Sequence, residues 1–240
     1  MFKKIKSLIQ ENRLFHKNNF LQLKELEWAH VYHDSIRGKI WLEIVPLNIG
    51  RWAGNYAFFY VLNRILTDYK PNLILEFGLG ESTKFITAYL QNELKNTEHL
   101  VIEQDENWKE TYSLQNPIAE NTTIIVCPIL EVEIKSFKVK TYENLKQKIN
   151  KKYDLYIIDD PFGSAHYSRY DIYNIAKEFE NGDQFIILLD DYNRVGEKET
   201  ANDLLGLLKN KNIKTHHVEY IGNKSVFVIA TEKYRYVTSL

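Results

Sequence analysis

Residues 73–83 of the 240-residue chain read LILEFGLGEST, and the predicted architecture is built outward from them. A short apolar run ends in an acid, two glycines follow one residue apart, and Ser82 and Thr83 begin a helical pattern. The pattern predicts a buried strand, a tight turn and the start of a helix. Gly78 and Gly80 allow backbone angles and a close ligand approach that a Cβ would forbid, and the free N–H groups of the helix attract polar ligands. We therefore expect either a site for a nucleotide-like ligand at this turn or a glycine turn that serves packing alone.

After residue 73, short apolar runs alternate with helical patterns, which is typical of a parallel sheet covered by helices on both faces. The last two runs are separated by Gly222-Asn223 and predict a hairpin with one antiparallel edge strand. Residues 131–142 alternate apolar and charged side chains, so they predict a small extra hairpin or an extended excursion. The predicted strands are 73–77, 100–103, 123–127, 155–159, 185–190, 214–220 and 225–230, and the predicted helices are 83–94, 107–114, 142–149, 169–179 and 200–208.

Composition limits the class of protein. Apolar residues make up 44% of the chain and aromatic residues 13%, which is enough for a packed core. The formal net charge of −1 argues against a general nucleic-acid binder. The single cysteine, Cys127, rules out an intramolecular disulfide and fits a reducing compartment. Because no apolar run approaches the roughly 20 residues of a membrane span, we expect a cytoplasmic protein with no transmembrane segment.

We expect an N-terminal helical extension over residues 1–70 and a main domain over residues 71–240. Residues 1–23 predict a basic amphipathic helix, which either packs on its own domain or makes weak peripheral contact with an anionic membrane. Residues 26–52 are rich in Trp, Tyr and His, and they predict a lid over a ligand or a satellite core layer. As a lid, this segment would fold over the carboxyl ends of the strands. Residues 53–69 predict a helix with one apolar face.

Acids stand at the ends of four predicted strands, where ligands of such sheets gather. They are Glu76, Glu103, the pair Asp159-Asp160 and the pair Asp190-Asp191. Burying a carboxylate costs several kcal/mol unless it is paired or binds something. Glu103, just over twenty residues beyond the glycine turn, is placed to accept both hydroxyls of a ribose. The alternative for Glu103 is a cap on the helix that begins near residue 107, a role that Asp105 or Asn107 serves better.

The glycine stretch, Glu103 and Asp159-Asp160-Pro161 together resemble the class I S-adenosylmethionine-dependent methyltransferases, a Rossmann-like family. The similarity runs from about residue 73 to the C-terminus and implies a doubly wound, mostly parallel seven-stranded α/β sheet with a reversed last strand. It implies that Gly78 and Gly80 pass close to the methionine part of the cofactor and that Glu103 binds its ribose. Ile129 and Leu130 would flank the adenine. The chain has Ser82 where many members have a third glycine. The cofactor-binding residues expected on this basis are Glu76, Gly78, Gly80, Ser82, Glu103, Ile129 and Asp159.

A narrower similarity concerns Asp159, Asp190 and Asp191, which resemble the Mg²⁺ ligands of O-methyltransferases of the catechol, caffeoyl-CoA and macrolide-sugar types. A hard cation prefers carboxylate oxygens and can lower the pKa of a bound hydroxyl. The alternative is that these acids cap helices and pair with Arg169 or Arg194. Catechol-type enzymes have a lysine base shortly after the fourth-strand acid. This chain has none there, and His166 is the nearest titratable substitute. Asp159 and His166 are therefore the expected catalytic residues.

The sequence thus predicts an S-adenosylmethionine-dependent methyltransferase, with Mg²⁺ as a candidate second cofactor. The expected reaction is O-methylation of a hydroxyl on a small polar or saccharide acceptor. A different class of protein stays open, namely a Rossmann-like module that binds a nucleoside without catalysis. An NAD-dependent oxidoreductase is disfavoured, because Glu76 precedes the glycines and Thr83 stands where the third glycine of such enzymes would fall.

Overall fold

A computed structural model describes residues 2–50 and 52–240, so Met1 and Arg51 of the predicted N-terminal extension lie outside the described residues. The helices are α1 (Phe2–Ile36), α2 (Ile40–Glu43), α3 (Tyr56–Arg64), α4 (Glu81–Asn92), α5 (Glu106–Gln115), α6 (Leu145–Lys148), α7 (Asp171–Ala176) and α8 (Val195–Asn210). The strands are β1 (Leu73–Phe77), β2 (Glu98–Glu103), β3 (Thr122–Val126), β4 (Ile129–Ile134), β5 (Phe137–Tyr142), β6 (Leu155–Ile158), β7 (Ile186–Leu189), β8 (Thr215–Ile221) and β9 (Ser225–Thr231). A π-helical turn (Ile65–Tyr69) continues α3, and a 3₁₀ segment (Glu232–Thr238) follows β9.

Seven of these strands form one sheet in the order β3-β2-β1-β6-β7-β9-β8. All are parallel except β9, which runs antiparallel to both of its neighbours. The predicted doubly wound, mostly parallel seven-stranded sheet with a reversed last strand is therefore confirmed. The reversed strand lies inside the sheet, between β7 and β8, so that β8 forms the edge.

The extra hairpin predicted at residues 131–142 is present as β4 and β5, which pair with each other in a separate two-stranded sheet. Its second strand reaches Tyr142, so the predicted helix 142–149 shrinks to α6. The predicted helix 169–179 is likewise reduced to α7, whereas the predicted helix 200–208 extends in both directions to become α8. Strand positions were predicted more accurately than these helix ends because a buried strand is marked by an unbroken apolar run.

Apolar side chains pack against both faces of the sheet. On one face, α3 and α4 contribute Phe58, Phe59, Phe85 and Tyr89 to a large buried cluster. On the other face, α7 and α8 contribute Ile172 and residues such as Leu204 to a second cluster. With both faces covered, the carboxyl ends of the strands remain as the edge at which polar side chains can meet a ligand.

The N-terminal helix α1 is longer than predicted. The predicted helix covered residues 1–23, but the helix runs unbroken to Ile36, into the aromatic-rich segment 26–52. Trp28, Tyr32 and Ile36 recur every fourth residue and face the domain, where Tyr32 and Ile36 are buried. Every described residue from 2 to 20 is exposed, so this part of the helix does not pack on its own domain. In the described part of the chain, no helix has the length and apolar content needed to span a bilayer.

Candidate functional site

The glycine turn lies at the carboxyl end of β1 and is held by hydrogen bonds from two sides. Gly78 has a φ of +98°, and a Cβ there would lie 3.0 Å from the Cβ of Asp160. The N–H of Leu79 donates to Glu103 Oε2 at 3.0 Å, and the N–H of Gly80 donates to Thr83 Oγ1 at 3.1 Å. A glycine is thus required at position 78, both for its backbone angle and for the space that Asp160 occupies.

Glu76 supports this turn from beneath. Its Oε2 accepts a hydrogen bond of 3.0 Å from Thr83 Oγ1 and lies 3.0 Å from His99 Nε2. The residue is fully buried, and its other carboxylate oxygen has no hydrogen-bond partner among the described residues. Glu76 therefore acts on the turn through Thr83. Ser82 is also buried, at the second position of α4.

Two aromatic residues of α5 donate hydrogen bonds to the turn, and neither was predicted from the sequence. Trp108 Nε1 donates to the carbonyl of Leu79 at 2.7 Å, and the Tyr112 hydroxyl donates to the carbonyl of Gly80 at 3.0 Å. Their spacing of four residues puts them on one face of α5, which was the available signal. The turn therefore has its donors and its acceptors fixed before any ligand binds.

Glu103 ends β2 and faces the same turn. Besides the Leu79 bond, its Oε1 accepts from the N–H groups of Gln104 and Asp105 at 2.7 and 2.9 Å. The side chain is buried, and burial raises the pKa of its carboxyl group in spite of the three backbone donors. Asp105 caps α5 by accepting from the N–H of Asn107 at 2.8 Å. Glu103 is thus free of the capping role.

Asp160, one of the acids predicted at the strand ends, lies beside the glycine turn. Its Oδ2 accepts a 3.0 Å hydrogen bond from the hydroxyl of Tyr142, whose ring stacks on Phe77. Burial, together with the charge of Glu103, raises the pKa of Asp160 to about 7. Ile129 is half-buried and lies opposite Tyr142 in the β4–β5 register, at this same end of the sheet. The hairpin thus brings the phenolic side chain of Tyr142 to Asp160, beside the glycine turn.

The predicted metal ligands do come together. One carboxylate oxygen each of Asp159, Asp190 and Asp191 lies within 4.8 Å of the others. Arg169 is inserted among them and is only 3% exposed. Its Nη2 donates to Asp159 Oδ1 at 3.1 Å and to Asp191 Oδ2 at 2.8 Å. Its Nη1 donates to the carbonyl of Asp190 at 2.7 Å.

Two more cations and one more acid complete this ionic cluster. Lys224 Nζ lies 3.3 Å from Asp191 Oδ1 and 3.8 Å from Asp190 Oδ2, and Arg194 Nη2 lies 3.0 Å from Asp191 Oδ2. The buried Glu197 lies 3.8 Å from Arg169 Nε. Among the described residues, four carboxylates therefore face three cations. The members of the cluster are Asp159, Asp190, Asp191, Glu197, Arg169, Arg194 and Lys224.

The pKa values of the acids in the cluster are shifted in opposite directions. Burial, followed by the charge of Asp190, raises the pKa of Asp159 well above its usual range. The pKa of Asp190 is raised by burial and by Asp191. Burial also opposes ionisation of Asp191, but Arg169, Lys224 and Arg194 together hold the pKa of that carboxyl below its usual range. A cluster with one carboxylate in excess can retain a proton, and Asp159, with 23% of its side chain exposed, is the acid that solvent reaches.

Local backbone strain accompanies this cluster. Arg169 has a φ of +59° and Asp191 a φ of +56°. Left-handed angles at residues other than glycine are uncommon, and such strain concentrates at functional sites. Here it aims the guanidinium and the carboxylate at each other.

His166 is held elsewhere. Its Nδ1 lies 3.0 Å from Glu199 Oε1 on α8, and its ring packs on Phe137 with centroids 3.9 Å apart. Among the described contacts, His166 has none with Asp159, Asp190 or Asp191. The loop between β6 and α7 carries the histidine past the β4–β5 hairpin, so the structure brings Asp159 to the acidic cluster and leaves His166 outside it.

The segment expected to form a lid contributes a cavity of about 500 Å³ beside the first turn of α3. Asn48 ties this segment to the carboxyl edge, because its N–H donates to Glu81 Oε2 at 2.9 Å at the start of α4. Trp28 also lies at this edge and donates to the carbonyl of Ile221 at the end of β8. Trp41 does not, since it packs on Tyr89 near the far end of α4, and Trp52 is exposed. The cavity is lined by Tyr32, His33, Ile36, Arg37, Leu42, Glu43, Val45, Leu47, Ile49 and Tyr56.

The chain is similar in fold to solved methyltransferase structures. No protein-family model and no curated protein matches the sequence. The O-methyltransferase TomG from Streptomyces achromogenes, solved in complex with SAM, is 10% identical and superposes with a TM-score of 0.53 over 89% of this chain and 98% of its own. The O-methyltransferase from Bacillus cereus, solved in complex with SAH, is 12% identical with a TM-score of 0.51 over 85% of this chain and 90% of its own. The chain therefore has the Rossmann-like fold of class I methyltransferases.

Proposed function

We propose that this protein is an S-adenosylmethionine-dependent methyltransferase that methylates a hydroxyl oxygen of a small polar acceptor. The glycine turn bonded to Glu103 is the observation that carries the proposal. Among the described residues, no heavy atom lies within 4 Å of a Cβ added at Gly80, so the turn opens onto free space. A nucleoside cofactor fits there, at the carboxyl end of β1 and beside a buried carboxylate.

Glu103 retains capacity for a ligand. A carboxylate offers about four acceptor sites, and the three backbone N–H groups occupy three of them. The remaining site would accept a ribose hydroxyl, and Ile129 would pack near the base. Glu76 would act through the turn that it supports, with Ser82 at the start of α4.

When bound, S-adenosylmethionine supplies a methyl group on a positively charged sulfur, which a hydroxyl oxygen can attack in line. Asp159 would take the hydroxyl proton as the new C–O bond forms and the C–S bond breaks. Its partial exposure supports this role, because a hydroxyl bound at this edge can reach a carboxylate oxygen that is open to solvent. His166, the other residue expected to act as base, could do so only if its contact with the carboxylate of Glu199 breaks.

The Mg²⁺ predicted at Asp159, Asp190 and Asp191 requires a separate test. The donor set suits a hard cation, but Arg169 already bridges Asp159 and Asp191, and Lys224 lies against Asp191 and Asp190. As arranged, the three carboxylates do not fit an additional ion. We therefore propose that Arg169 supplies the fixed positive charge. Full methyl transfer in excess chelator is the expected result, and a loss of activity that added Mg²⁺ restores would favour the metal instead.

The cavity beside α3 is the proposed acceptor site. Its volume of about 500 Å³ suits a small molecule. Its lining combines apolar side chains with polar groups, among them His33, Arg37 and Glu43, which is compatible with a hydroxylated acceptor such as a sugar. Fold similarity does not name the acceptor.

Calorimetry with S-adenosylmethionine, S-adenosylhomocysteine and NAD tests the proposal directly, followed by a methyl-transfer assay with a panel of saccharides. Binding of the two S-adenosyl compounds together with turnover on one acceptor is the expected result. Binding without turnover on any acceptor would favour the non-catalytic nucleoside-binding module. Binding of NAD alone would refute the methyltransferase proposal.

A further inference from the structure

Between residues 5 and 26, α1 exposes an apolar face that the domain does not use. At about 100° per residue, Ile5, Leu8, Ile9, Leu23 and Leu26 fall within an arc of roughly 100°. All five side chains are exposed. The arc faces away from the domain, because the docked residues of α1 lie about half a turn around the helix, at positions 28, 32 and 36.

The N-terminal half of the helix is strongly basic. Residues 2–20 carry Lys3, Lys4, Lys6, Arg13 and Lys17 against a single acid, Glu11, which gives a net charge of +4. The whole chain has a net charge of −1, so the remainder carries −5. The positive charge is therefore concentrated on the part of the chain that projects from the domain.

We propose that this part of α1 lies on an anionic membrane surface, with its apolar face in the lipid and its basic residues among the headgroups. A helix with one apolar face and a lysine-rich polar face is suited to this position. Each basic residue near an anionic leaflet contributes about a fivefold gain in affinity.

A second copy of the chain is a poorer occupant. Pairing two such segments would bring together two regions of +4 charge. Asn12, His16 and Asn19 also fall on the apolar face and interrupt it. A dry helix pair would have to bury these side chains, whereas the hydrated boundary between headgroups and acyl chains tolerates them.

Docking through α1 would also fix the orientation of the proposed active site. Glu25 binds the N–H of Tyr56, the side-chain amide of Asn55 and the N–H of Asn223, all at the carboxyl edge. A Cβ at Gly222 would clash with Glu25 and Asn55, so the β8–β9 turn is shaped for this contact. A membrane-bound α1 would therefore hold the carboxyl edge at a set distance from the lipid.

The test is co-sedimentation of the full chain with lipid vesicles. One set contains phosphatidylcholine alone, and in the other about a third of the lipid is phosphatidylglycerol, which supplies the anionic surface. We expect binding to the anionic vesicles, weakened by salt, and little binding to the neutral ones. Equal binding to both sets, or binding to neither, would overturn the proposal.

Two leucines provide matched variants. Leu8 is 57% exposed on the apolar arc, and Leu14 is 59% exposed on the opposite side of the helix. Leu8→Gln should weaken vesicle binding about tenfold, or about 1.4 kcal/mol, the lower end of the range for burying a leucine. Leu14→Gln should change it less than about twofold. Equal effects of the two substitutions would show that no defined face meets the lipid.

A charge variant and a measurement of self-association complete the experiment. Lys3→Gln combined with Lys6→Gln should weaken anionic-vesicle binding by about 25-fold in total, with an unchanged melting temperature because neither residue contacts the domain. Sedimentation equilibrium that shows a stable dimer, broken by Leu8→Gln, would assign the apolar face to a second copy and refute the membrane proposal. Binding to nucleic acid in preference to anionic vesicles would refute it as well.

Discussion

Replacing Glu103 by Gln removes the charge that is proposed to hold the ribose and keeps the size of the side chain. The carboxylate now accepts from the N–H groups of Leu79, Gln104 and Asp105. In either orientation, the NH₂ group of a glutamine would face a backbone N–H. The variant therefore loses at least one of these bonds as well as its acceptor for the ribose.

The magnitude follows from the charge of the group. A hydrogen bond to a charged partner contributes about 1.5–3 kcal/mol, so we expect the Kd for S-adenosylhomocysteine to rise about 10- to 150-fold. The lost backbone bond should lower the free energy of unfolding by about 1–3 kcal/mol. Isothermal titration calorimetry measures the Kd, and urea unfolding measures the stability, which ensures that only folded protein is titrated.

Asp105→Asn is the matched control. It removes the same charge two residues away, and asparagine caps a helix about as well as aspartate, so α5 keeps its cap. The control should bind S-adenosylhomocysteine within about twofold of the wild type. If folded Glu103→Gln also bound within that margin, Glu103 would lie outside the cofactor site and the glycine turn would serve packing.

Three further results are expected. Burial raises the pKa of Asp171 from 3.8 to about 7, so the folded state holds a proton that the unfolded state releases. The free energy of unfolding should therefore fall as pH rises from about 4 to 7. In urea unfolding, Asp171→Asn should flatten this slope and raise the free energy of unfolding at pH 8 by as much as about 4 kcal/mol. Tyr112→Phe removes the bond to the carbonyl of Gly80 and should weaken S-adenosylhomocysteine binding by about 1 kcal/mol in calorimetry. Glu25→Gln should lower the melting temperature without changing that affinity, and an unchanged melting temperature would show that α1 is not anchored at Glu25.

The sequence was sufficient for the parts of the fold that local patterns encode. Unbroken apolar runs mark buried strands, and a glycine pair after an acid marks the turn of β1. The carboxyl ends of parallel strands meet at one edge, so the convergence of Asp159, Asp190 and Asp191 was predictable without coordinates.

The features of the site that could not be predicted from the sequence depend on tertiary contacts. The bonds of Trp108 and Tyr112 to the glycine turn follow from how α5 packs beside β2 and β3, which no local pattern specifies. The choice between a metal and an arginine was open because residues ten or more apart had to be placed to within an ångström. Arg169 was named as a partner in advance, but its insertion between Asp159 and Asp191 depends on a left-handed backbone angle that the sequence did not reveal.

Glu25 anchors α1 on the domain, and the N-terminal part of the helix projects beyond this anchor. Residues 2–20, which are all exposed, extend over roughly 28 Å at 1.5 Å per residue before the helix meets the domain. Glu25 accepts hydrogen bonds from the side-chain amide of Asn55 and the N–H of Asn223. Lys224 follows directly, reaching Asp191 on one side and the carbonyl of Ala53 on the other. The contacts of Glu25 with Asn223, and of the next residue, Lys224, with Asp191, therefore connect α1 to the acidic cluster, so the helix that is proposed to meet lipid and the proposed catalytic site share the β8–β9 turn.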